Sequence, residues 1–214
     1  MAVDDTEDLG LRERKKLATR EALSLAAVRL ALERGPENVR VDDIAAAAGV
    51  SPRTYNNYFS SREEAICAAA AERARQLGAA LRARPPDEPL GEAIILAVVD
   101  RYVRYGEPDK NMIRLIVSTP ALRGEFLKTI AAREAQLADA IAERTGLDAE
   151  RDLEPRLLAV VVSGATRVAT MHWLRPDVDA PFAEVVEGAL RLVVPPAAEA
   201  ISNRPSTRAR APTC

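Results

Sequence analysis

The chain has 214 residues, 48% of them hydrophobic, and a formal net charge of −2, which is enough apolar material for one compact unit or a small domain beside a larger one. Two cysteines, Cys67 and Cys214, and one histidine, His172, exclude a disulfide framework and cannot supply the four ligands of a structural zinc site in a monomer. No apolar run approaches the length of a membrane span and no basic-then-apolar leader opens the chain, so a cytoplasmic protein without a cofactor is expected.

Apolar residues recur at spacings of three and four, and no segment sustains period-two alternation, so an all-α fold is expected throughout. Residues 1–10, acidic at Asp4, Asp5, Glu7 and Asp8, predict a disordered arm. The first helix is expected from Leu11 to Arg34, with Leu23, Ala26, Ala27 and Leu30 as its inner stripe and Gly35-Pro36 as its stop. The bulk charge does not draw the protein to nucleic acid, so local cations matter. They gather here: Arg12, Arg14, Lys15, Lys16 and Arg20 stand against Glu13 alone. An isolated charge run is ordinarily a solvated helix start, but beside the segment that follows, phosphate contact is the favoured reading.

Val41 to Ala48 predicts a short helix with Asp42 and Asp43 in its first turn, where the macrodipole favours negative charge. Gly49 lies where a helix end wants a left-handed residue, Ser51 fits an N-cap and Pro52 the first helical position. A second helix over Ser51 to Phe59 would be about 13 Å long. Its Tyr55 and Phe59 would face inward with Val50 and Ile44, which leaves Arg53, Thr54, Asn56 and Asn57 to solvent. Such a helix-turn-helix seats its second helix in the major groove of DNA. Arg bridges guanine O6 and N7 and Asn bridges adenine N6 and N7, each good pair being worth roughly 1–3 kcal/mol of discrimination.

Ser61 with Glu64 forms a capping box for a fourth helix that runs toward Arg84 and ends at Pro85-Pro86. Later helices are expected at Leu90–Tyr105, through Met112, Leu115 and Ile116, from Thr119-Pro120 to Gly146, over Leu153–Trp173, and from Phe182 to Val194 before Pro195-Pro196. The division expected is a DNA-binding domain over 11–66, a ligand-binding and dimerisation domain over 67–201 and a disordered tail over 202–214. Leu157 to Val168 is nearly all apolar or small, so that helix must be covered on more than one side. His172 stands alone, with no nucleophile motif or phosphate loop beside it, and no enzymatic activity is expected. Cys67 reads as a small core residue.

The segments Thr19-Arg20-Glu21-Ala22-Leu23, Glu33-Arg34-Gly35, Val41-Asp42-Asp43-Ile44-Ala45, Ala48-Gly49-Val50-Ser51, Tyr58-Phe59 and Arg62-Glu63-Glu64 follow in order a known pattern, and the chain is identified by them as resembling the TetR family of transcriptional regulators. The resemblance implies a three-helix DNA-binding domain, an all-helical ligand domain and a homodimer, usually a repressor released by a small molecule. It marks Arg14, Lys15, Lys16, Thr19, Arg40, Arg53, Thr54, Asn56, Asn57, Tyr58 and Arg62 as candidate DNA contacts. Three positions depart from the pattern: Arg40 replaces a capping threonine, Asn56 a tyrosine and Ala31 a core phenylalanine. These departures motivate a competing class, an all-helical carrier or enzyme that has lost DNA binding. Gly10 to Lys16, Arg114-Leu115-Ile116 and Ser118 to Arg123 resemble actinobacterial regulators related to the mycofactocin regulator, which implies an acyl-CoA-like ligand. Tyr102, Met112, Ile116, Phe126, Met171 and Trp173 would then line an apolar tunnel, with Arg101, Arg104, Arg114 and Arg123 near its mouth.

Overall fold

A computed structural model describes residues 4–202, with side chains left aside at 4–9, 69–76 and 104–105. Among the described residues nine α-helices follow one another: α1 (Asp4–Arg34), α2 (Val41–Ala47), α3 (Pro52–Asn56), α4 (Arg62–Arg82), α5 (Leu90–Tyr105), α6 (Lys110–Ser118), α7 (Pro120–Thr145), α8 (Leu153–Trp173) and α9 (Phe182–Ser202). No strand occurs among the described residues, so the all-α expectation holds. The chain forms two compact units, residues 1–74 with 109–130 and residues 75–108 with 131–214.

The first unit closes around Leu23, Ala27 and Leu30 of α1, Ile44 of α2, Tyr55, Phe59 and Ile66, all nearly or fully buried. Met112 and Ile116 of α6 and Leu122 of α7 belong to the same cluster. The helices that precede residue 67 therefore do not complete their own core. Helix α1 begins at Asp4, inside the stretch whose composition reads as a disordered arm, while the expected tail beyond Ser202 lies outside the described residues.

The second unit packs α5 and α8 against α9 and buries Ile94, Ile95, Val98, Leu158, Val162, Val186 and Leu190. Arg144 donates to the backbone carbonyls of Arg84, Pro85 and Glu88 and so holds the proline turn after α4. Pro195-Pro196, expected to end α9, lie inside it. A proline in a helix interior costs about 3 kcal/mol through a lost hydrogen bond and a clash one turn back. Beyond the prolines, however, Ala198 and Ile201 are buried, and burying an Ile alone is worth about 1.5–3 kcal/mol, so packing offsets the break. Gly91 of α5 makes room for it: a Cβ there would stand 3.2 Å from Pro195 Cα.

Candidate nucleic-acid interface

The turn between α2 and α3 is set by Gly49, at φ +70°, a conformation that side chains with a Cβ rarely adopt. Val50 N–H then bonds back to Ala45 C=O at 2.9 Å, and the chain reverses. Ser51 caps α3: its hydroxyl accepts from Thr54 N–H at 3.1 Å and pairs with the Thr54 hydroxyl at 2.9 Å. Helix α3 is shorter than expected, since it ends at Asn56 with Asn57 as C-cap. Tyr55, fully buried, donates its phenol to Ser61 C=O at 2.8 Å, and burial, helped by Glu64 and Glu63, pushes that phenol up to about 12, so it stays a donor. With Tyr55 and Phe59 turned inward, Arg53, Asn56 and Asn57 are left exposed on the other face.

Arg20 of α1 fixes the far end of this helix. Its guanidinium donates to Tyr58 C=O at 2.7 Å, lies 4.3 Å from the centre of the Phe59 ring and stands 3.6 Å from the Glu64 carboxylate. Glu64 in turn accepts from the Ser60 N–H and hydroxyl, while Ser61 Oγ caps Glu64 N–H at 3.0 Å. The capping box is thus present with its return bond moved back one residue, to Ser60. Burial raises the Glu64 carboxyl, but the two Ser60 bonds and Arg20 outweigh it and hold the group below the usual carboxylate range.

Of the candidate DNA contacts, Arg14, Lys15 and Lys16 lie exposed on α1, and Thr19 is half-buried with its hydroxyl donating to Lys15 C=O. Arg40 precedes α2, is exposed, and makes no side-chain cap. Thr54 is tied to the Ser51 cap, and Tyr58 is half-buried against the core. Arg62 turns inward, donating to Glu37 and Val39 carbonyls at 3.0 and 2.9 Å and to Glu63 at 2.8 Å, and so ties the start of α4 to the loop before α2. Arg20 and Arg62 are the bracing residues that sequence alone does not reveal. A hint existed for Arg20, which falls three residues before Leu23 and hence beside the inner stripe of α1.

The residues expected to bind ligand divide between the units. Met112, Ile116 and the half-buried Phe126 pack on the first unit's core. In the second unit Phe182 receives Tyr102 at 4.7 Å and Trp173 at 4.8 Å, both edge-on, and Trp173 Nε1 donates to Ala180 C=O. Met171 and His172 are exposed at the end of α8. Cys67 is buried, with its thiol pushed up to about 12 by burial and nearby Glu125 and Glu63, as suits a core residue.

Residues 25–69 match bacterial regulatory proteins of the tetR family, and residues 88–198 match the MftR C-terminal domain. The HTH-type transcriptional regulator TcmR of Streptomyces glaucescens is 36% identical over 181 residues, spanning 79% of this chain and 80% of TcmR. The chain belongs to the TetR family. TetR-family regulators bind operator DNA and form dimers, and this one is a DNA-binding transcription regulator with the family's helix-turn-helix at α2 and α3. Two solved structures share its fold. FadR of Thermus thermophilus, a repressor crystallised with lauroyl-CoA, has a TM-score of 0.51 at 22% identity over 81% of this chain and 92% of FadR. FadR of Bacillus halodurans, a fatty acid degradation regulator, has a TM-score of 0.56 at 19% identity over 82% of this chain and 94% of its own. None of the described helices is long and apolar enough to cross a membrane.

Proposed function

We propose that this regulator is a homodimeric, cytoplasmic, non-enzymatic repressor that leaves its operator when a small hydrophobic ligand such as a fatty acyl-CoA binds. The observation that carries the reading is the exposed tip of α3, where Arg53, Asn56 and Asn57 are presented by a helix capped at Ser51 and clasped by Arg20. Rigid presentation of one Arg and two Asn suits base-edge recognition. Arg14, Lys15, Lys16 and Arg40 supply phosphate contacts, Thr19, Thr54 and Tyr58 flank them, and Arg62 positions the loop before α2.

The dimer seam in this reading is the outer face of α8 and α9. Leu157, Val160 and Val168 of α8 and Leu192 and Val193 of α9 are exposed, Leu192 by 80%, and a Cβ at Gly164 or Gly188 would meet nothing within 4 Å. An apolar stripe with small residues at its middle suits close approach of a second copy. The aromatic group of Tyr102, Trp173 and Phe182 supports a hydrophobic ligand in the second unit, with the lauroyl-CoA complex of Thermus FadR as the analogy for its class. Footprinting on the DNA upstream of the protein's own gene tests the proposal: a protected pair of half-sites one helical turn or a multiple apart is expected, and absence of any protected site overturns it.

A further inference from the structure

Arg133 of α7 is a cation in the second unit. It is half-buried; Nη2 donates to the hydroxyl of Ser163 on α8 at 3.1 Å, while Nε is sealed from solvent with no acceptor. Ser163 is itself buried. Three positions along the same face of α7, Gln136 Oε1 is also sealed and unpartnered. Burial pulls the guanidinium below its ordinary value, with Tyr102 of α5 and Glu134 acting weakly the other way. Sealing a polar atom without a partner is costly, and buried polar atoms are ordinarily satisfied. Here a donor and an acceptor, on one helix face and in one unit, both wait for a partner.

We infer that Arg133, Ser163 and Gln136 form an anion-binding site in the ligand domain, and that the ligand is an amphipathic carboxylate whose acidic group docks on Arg133. The inference rests on the reading that this domain takes a small hydrophobic ligand, and it adds the ligand's polar chemistry. A carboxylate matches the planar fork of a guanidinium in two parallel bonds and adds an acceptor for the Ser163 hydroxyl. Gln136 Oε1 remains to accept from a hydroxyl or amide on the same molecule. A neutral alkyl or aryl body gives neither partner and leaves the cation as costly as before.

The test uses the full chain and the fluorescence of Trp173, its one tryptophan. Dodecanoate and naphthoate are titrated beside their neutral counterparts dodecanol and naphthylmethanol, together with lauroyl-CoA. Each acid is expected to bind about tenfold or more tightly than its alcohol. Arg133→Met is expected to erase that ratio, leave the alcohols unchanged and raise the melting temperature of the ligand-free protein. Ser163→Ala, which removes the hydroxyl alone, is expected to reduce the ratio in part. Equal binding of acid and alcohol by wild type, or a ratio that survives Arg133→Met, overturns the site. A loss confined to lauroyl-CoA moves the anion to phosphate and overturns the carboxylate assignment. Operator release is measured separately: acids that bind through Arg133 but leave DNA affinity unchanged keep the site and remove the ligand-released repressor.

Discussion

Arg20 and Glu64 show how a single ion pair braces the turn that follows α3. The pair stands half-exposed, where an isolated salt bridge is worth little, but Arg20 also holds a backbone carbonyl and an aromatic ring at the end of α3. Arg20→Ala is expected to lower affinity for all DNA sequences alike and to destabilise the unit by about 1–3 kcal/mol through the unsatisfied Tyr58 carbonyl and lost ring contact, measured by urea melts and operator titration. Because the Glu64 carboxyl is held below its ordinary 4.5, it binds fewer protons folded than unfolded near that pH. Its contribution is therefore present above 4.5 and lost as pH falls through the depressed value. Glu64→Gln should flatten the stability profile in that acid window, and an unchanged slope removes the assignment. Arg53→Ala should relax preference at one operator position by roughly 1–3 kcal/mol, whereas Lys16→Ala should weaken all sequences and lower the salt slope by about one, read from binding titrations at several salt concentrations. These partnerships were hard to see beforehand because a charged residue on a helix reveals its spacing but not a partner 38 residues away.

Helix boundaries, by contrast, were largely legible, since the chain writes them in locally acting residues. Gly35, Gly49, Gly106 and Gly146 all take positive φ where helices stop, and Pro52 and Pro120 each open one. The miss at Pro195-Pro196 has the opposite cause: a local stop signal is overruled by apolar burial on both sides of it, which needs Gly91 on a helix about a hundred residues earlier. Gly91→Val should therefore cost about 1–3 kcal/mol by overpacking, while Gly124→Ala, with open space around its Cβ, should stabilise by about 0.5–1 kcal/mol; thermal melts decide between them. The outer stripe of α8 and α9 belongs to this scale too. Gly164→Lys and Leu192→Lys fit the isolated subunit but bury an unpaired charge at the proposed seam, so both should shift sedimentation toward monomer and weaken operator binding. An intact dimer in both variants refutes that seam.

At the scale of the molecule, α4 and α7 each carry one continuous helix from the first unit into the second. A ligand releases DNA only by binding the DNA-incompetent state more tightly than the competent one. If an acyl chain supplies that difference, longer chains should raise the melting temperature more and release operator at lower concentration, by about 0.8 kcal/mol per buried methylene until the site is full. A titration across chain lengths at fixed salt checks this, and a response independent of length excludes an acyl tunnel. Met112 and Ile116 read as the lining of a ligand tunnel, but an apolar stripe does not name the core it enters, and the structure places them with Leu122 in the core of the first unit. That place has a consequence for biosynthesis. A ribosome that has finished α3 and α4 has not yet made Met112, Ile116 and Leu122 of the same core, and the first unit stays incomplete until the chain emerges through residue 130. A nascent chain therefore completes this core only after more than half of it has been synthesised, and a fragment cut before Asp109 should melt at lower temperature than the same helices in the whole protein.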